Sequence, residues 1–122
     1  MGEFNFYLEH DFMDLNKYIN KERIPKRGRF IANKIKQDAT LYVAKMVMNK
    51  HKMIDKKCDV EFIWHETNQK VDPDNVAFCC KYVLDGLVSG GILKNDSHKY
   101  IKSIHHYFEK ADVKAVTIKL TY

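Results

Sequence analysis

The chain has 122 residues, 45% hydrophobic and 30% charged, with two prolines and five glycines. That composition excludes disordered and fibrous classes and leaves room for one core, since a chain this long buries roughly two-thirds of the surface it exposes unfolded. The formal net charge is +5. No run of about 18 apolar residues occurs, and the start, MGEFNFYLEH, lacks a basic region followed by an apolar stretch, so neither a membrane span nor a secretory signal is expected and the cytoplasm is the default compartment.

From Glu3 to Leu8 the residues alternate, with Phe4, Phe6 and Leu8 on one side, which predicts a half-buried first strand. The stretch from His10 to Phe30 has no clean period and contains Pro25 and Gly28, and it reads as a long functional loop with at most a short helical turn. Across it and just beyond lie Lys17, Lys21, Arg23, Lys26, Arg27, Arg29, Lys34 and Lys36 against Glu22 alone, including all three arginines of the chain. Arginine offers a planar fork to phosphate, and each neutralised phosphate releases counterions, so Arg23, Lys26, Arg27, Arg29, Lys34 and Lys36 are candidate contacts to a polyanion. A solvated charge run is the bland alternative.

Asn33 to about Lys50 predicts an amphipathic helix, with Ile35, Ala39, Tyr42, Val43, Met46 and Val47 at helical spacing and Asn33 as its cap. Cys58 to Glu66 alternates without a breaker and predicts a second strand. Asn75 to Val88 predicts another helix, with Val76, Cys80, Val83, Leu84, Leu87 and Val88 as the buried stripe and Ser89-Gly90-Gly91 as its end. A polar turn, Lys94 to Ser97, then leads to a strand from Tyr100 to Phe108 and a turn at Glu109 to Asp112. The last strand points Val116, Ile118 and Leu120 inward and Thr117, Lys119 and Thr121 outward. This order predicts one α+β domain over residues 1–122, with a small mixed or antiparallel sheet of about four strands and two main helices on one face.

Asp72-Pro73-Asp74-Asn75 stands at the mouth of the second helix, where proline constrains the backbone and the two carboxylates can converge. Close carboxylates must share a proton, accept strong donors or bind a cation, and magnesium suits oxygen ligands that leave several waters in place. The competing reading makes Asp74 the helix N-cap and Asp72 a turn residue. An EF-hand is excluded, because the sixth and twelfth positions from Asp72 are Ala77 and Val83. At about 100° per residue, Asp74, Lys81 and Asp85 share one face of the helix. Lys81 and Asp85 are either a plain surface pair or a cation placed to offset charge building on a phosphoryl oxygen. Asp96 sits in the polar turn.

Histidines and cysteines point elsewhere. His105 and His106 are adjacent on a predicted strand and face opposite ways, and His10, His51, His65 and His98 are scattered. Cys58, Cys79 and Cys80 have neither zinc nor disulfide spacing and read as small buried residues of a reducing compartment.

The ordered pattern Asp72-Pro73-Asp74-Asn75, then Lys81, Tyr82-Val83-Leu84-Asp85-Gly86-Leu87, then Gly91-Ile92-Leu93-Lys94-Asn95-Asp96, resembles the RusA-type Holliday junction resolvases of bacteria and their prophages. Leu15 to Asn20, followed by the arginine and lysine segment, is similar to that family's N-terminal part, so the likeness covers nearly the whole chain. The resemblance implies a homodimer that binds four-way DNA junctions and, with magnesium or manganese in its place, nicks two strands of like polarity during recombination and repair. It also implies catalytic and metal-binding roles for Asp72, Asp74 and Asp96, with Lys81 assisting and Asp85 behind it. One departure is that the family's lysine follows the second aspartate by four residues, whereas Lys81 follows Asp74 by seven. The reading from a different class is a non-catalytic DNA-binding module whose aspartates serve only as caps and turns.

Overall fold

A computed structural model describes residues 2–122. Its elements are β1 (Glu3–Glu9), α1 (Leu15–Glu22), α2 (Gly28–Val47), β2 (Cys58–Glu66), α3 (Pro73–Ala77), α4 (Cys80–Ser89), β3 (Ile101–Lys110) and β4 (Ala115–Thr121). The strands form one sheet in the order β1-β4-β2-β3. β4 runs antiparallel to both of its neighbours, while β2 and β3 are parallel, so the sheet is mixed. Parallel neighbours need a long crossover, and α3 and α4 supply it.

Alternation decides the buried face. Three rows run across the sheet: Phe4, Leu120, Val60 and Ile104; Phe6, Ile118, Phe62 and His106; Leu8, Val116, Trp64 and Phe108. Their central members are fully buried and join Val43 and Val47 of α2 and Tyr82, Val83, Leu84 and Leu87 of α4 in one core. The other face presents Asn5, Tyr7, Glu61, His65, Thr117 and Lys119 at least partly to solvent, so the helices pack on one side only. His106 is the polar member of the inner rows. It accepts the Trp64 indole N–H at 2.9 Å, which satisfies the donor that a buried tryptophan brings with it.

The segment before α2 departs from the expected loop. Residues 15–22 form a helix because Asp14 caps it, accepting the Lys17 backbone N–H at 3.1 Å, and because Leu15, Tyr18 and Ile19 recur at helical spacing. α2 then starts at Gly28 rather than Asn33 and ends at Val47, and its cap position is Arg27. What remains of the long loop is the stretch 10–14 before α1 and a turn around Pro25 and Lys26, the latter in the left-handed region at φ 66°.

The expected Asn75–Val88 helix is instead α3 and α4 joined by a tighter turn. There the Cys79, Lys81 and Tyr82 N–H groups bond to carbonyls three residues back. Among the described residues no helix is long and apolar enough to cross a membrane.

Candidate functional site

Proline at the first helical position makes Asp72 the cap residue of α3. The cap position therefore belongs to Asp72 and not, as the alternative had it, to Asp74. The Asp72 carboxylate makes no capping hydrogen bond, and that of Asp74 accepts the Asn75 N–H at 3.0 Å. Both acids are exposed on the first turn.

Lys81 gathers the rest of the site. Its Nζ lies 3.1 Å from Asp85 Oδ1 and 3.8 Å from Asp96 Oδ2, so one ammonium stands between an acid of its own helix and an acid from the following loop. The hydrogen bond to Asp85, with the charges of Asp85 and Asp96, holds the ammonium above its ordinary pKa range. It is therefore charged at neutral pH.

The loop is pinned from below. Ile92 and Leu93 are fully buried, Ile54 donates its N–H to the Ile92 carbonyl at 2.8 Å, and Asn95 Oδ1 accepts the Ser97 N–H at 2.8 Å. Two anchored apolar residues followed by an Asx turn thus carry Asp96 back to Lys81.

Asp74 precedes Lys81 by seven residues on a nearly continuous helical run, a rise of ~10 Å. The tighter turn at Cys79 breaks the uniform 100° step, and no ion pair joins Asp74 to Lys81. The structure brings Lys81, Asp85 and Asp96 together and leaves Asp72 and Asp74 one helical segment away. Among the described residues no three His, Cys, Asp or Glu side chains converge closely enough to hold a metal ion. The donor set itself is oxygen-only and solvent-accessible, which is the chemistry a hard divalent cation takes.

The basic residues fall into two places. Arg23, Lys26, Arg27 and Arg29 are exposed on and around the α1–α2 turn, and no ion pair of the described residues involves an arginine. Lys34 is paired with Asp38 at 3.5 Å. Lys36 instead lines a cleft of about 390 Å³ together with Asn33, Gln37, Thr40 and Asp85. α1 docks on the α3 end of the crossover through Tyr18, whose ring lies 5.4 Å from that of Phe78. Basic hairpin and acidic segments therefore share the helical layer.

Asn33, Gln37 and Thr40 are not among the expected site residues, although their i, i+4, i+7 spacing marks one polar face of a helix. A larger groove of about 800 Å³, walled by Glu9, His10, Phe12, Asp38, Tyr42 and Lys114, contains none of them. The cysteines are free. Burial pushes the Cys79 thiol up to about 12, so it stays protonated and inert.

Comparison of the chain with protein-family profiles and with curated proteins finds no match.

Proposed function

We propose that the chain is a magnesium-dependent, structure-selective endodeoxyribonuclease that cuts four-way DNA junctions by paired nicks as a homodimer. The observation that carries this reading is the return of Asp96 to Lys81 and Asp85. It joins the last element of the ordered motif to the middle one in space, while Asp72 and Asp74 stand one helical segment away. The likeness of that motif to the RusA-type resolvases supplies the junction and the dimer, and the unpaired arginines of the α1–α2 turn suit DNA backbone.

The resemblance makes Asp72, Asp74 and Asp96 the residues that would hold the ion, which requires Asp72 and Asp74 to close on Asp96; once bound, the ion would supply an activated water and offset charge on the departing 3′ oxygen. The chain's own groups do the rest. Lys81, charged at neutral pH, would present its ammonium to a phosphoryl oxygen. Asp85 keeps Lys81 oriented through the 3.1 Å hydrogen bond. Arg23, Lys26, Arg27 and Arg29 hold the backbone without reading bases, so junction selectivity falls to the relative placement of two sites across the dimer.

A non-catalytic DNA-binding module has one observation in its favour, namely that Lys81 already neutralises Asp85 and Asp96. One experiment separates the two. Asp74→Asn is expected to abolish magnesium-dependent nicking of a synthetic four-way junction while leaving junction binding in EDTA intact, since asparagine keeps an oxygen for the Asn75 N–H. Nicking at the wild-type rate would remove Asp74 from the site.

A further inference from the structure

The cleft between α2 and α4 is lined by side chains that can all donate or accept hydrogen bonds: Asn33, Lys36, Gln37, Thr40 and Asp85. Its single acid is held by Lys81 at 3.1 Å, so what the cleft offers a guest is an ammonium, two amides and a hydroxyl. At one end the Asp85 wall leads directly to Lys81 and Asp96.

At the other end, toward the start of α2, stands Phe30. The residue is 78% exposed and adds nothing to the core, and in sequence it is flanked by Arg27, Arg29 and Lys34. Phe30 and Gln37 are seven residues apart on one helix. They lie within about 20° of one another around the axis and ~10 Å apart along it. That distance is about three nucleotides at the ~3.4 Å rise of a stacked strand.

We infer that the α2 face from Phe30 to Thr40 is a track for one unpaired DNA strand, with its sugar-phosphate in the polar cleft and a base stacked on Phe30. An aromatic ring beside a cationic groove binds single strands, because every unpaired base has a free face, whereas duplex bases are already covered by their neighbours. A branch point supplies such bases. The inference rests on the nuclease reading for why the track begins at the carboxylates, but its binding consequence is measured apart from cleavage.

The test compares wild type, Phe30→Ala, Phe30→Trp and the Asn33→Ala/Gln37→Ala double variant in EDTA. The ligands are oligo-dT, an intact duplex, and a four-way junction carrying 2-aminopurine beside the branch. Phe30→Ala is expected to weaken oligo-dT and junction binding by roughly 10-fold or more and to abolish the change in 2-aminopurine fluorescence. Phe30→Trp restores both, the double variant weakens both, and duplex affinity is unchanged throughout. Wild-type affinity of Phe30→Ala for oligo-dT overturns the track. So does a change in its sedimentation from that of wild type, which would make Phe30 a contact between copies. Nicking that persists in a Phe30→Ala protein with normal binding removes the track and leaves the nuclease reading standing. Loss of strand binding in Phe30→Ala, with a wild type that binds but never nicks, upholds the track and removes the nuclease reading.

Discussion

His10 shows how one side chain couples this fold to pH. The ring stacks on Phe12 at 4.3 Å, meets Trp64 edge-on, and accepts the Phe12 N–H at 3.1 Å through Nδ1. Burial, helped by the charge of Lys114, lowers its pKa from 6.5 to about 4. The unfolded ring therefore takes a proton near pH 6.5 that the folded ring refuses until near pH 4. Stability is undiminished above that window and falls as pH drops through it, by about 3 kcal/mol for this residue. Urea unfolding between about pH 7.5 and 4.5 is expected to show that decline, and His10→Gln to flatten it. An equally steep decline in the variant would assign the slope to other groups. His106 contributes in the same direction, since burial lowers its pKa as well. None of this is legible in the sequence, where His10 is one scattered histidine among six. Its burial depends on Trp64 and Lys114, which the chain brings in from far away.

Strands are legible in this sequence and helix ends are not. Alternation over Glu3 to Leu8 and Cys58 to Glu66 predicts β1 and β2 to within a residue, because a strand's two faces are written directly into its sequence. The segment containing α1 reads as a loop because Pro25 and Gly28 are loop signals, yet both fall where two helices meet. The Asp14 cap and the Leu15, Tyr18, Ile19 spacing are the signals that identify it. The packing of α4 against α2 depends on glycine. A Cβ on Gly86 would run into Val43 and lie 3.0 Å from the Thr40 carbonyl, and one on Gly90 would meet Val47 at 2.6 Å. This close approach sets Asp85 against Lys36 and Thr40 and so forms the polar cleft. Gly86→Ala is expected to lower stability by about 1–3 kcal/mol through overpacking. An unchanged denaturation midpoint would show that the two helices can separate freely.

For the molecule as a whole, charge placement matters more than its sum. The three arginines flank one turn, exposed and without carboxylate partners, in the same helical layer as the acidic segments. Replacing Arg23, Arg27 and Arg29 by glutamine is expected to weaken junction binding and to reduce the slope of log affinity against log salt, by up to about 0.9 for each phosphate that is no longer neutralised. Identical affinity and slope would leave that turn only a solvated connection. The sequence alone determined the strands, the direction in which their side chains point, the single α+β core, the basic segment and the residue types of the candidate site. Those follow from local periodicity and composition. Tertiary structure decided the parallel pairing of β2 and β3, the meeting of Asp96 with Lys81 and Asp85, and the cleft that links them to α2. The physical reason is that these contacts join segments separated in the chain. The cleft exists because a glycine seam lets α4 approach α2, and Asp96 reaches Lys81 because Ile92 and Leu93 anchor the loop that carries it.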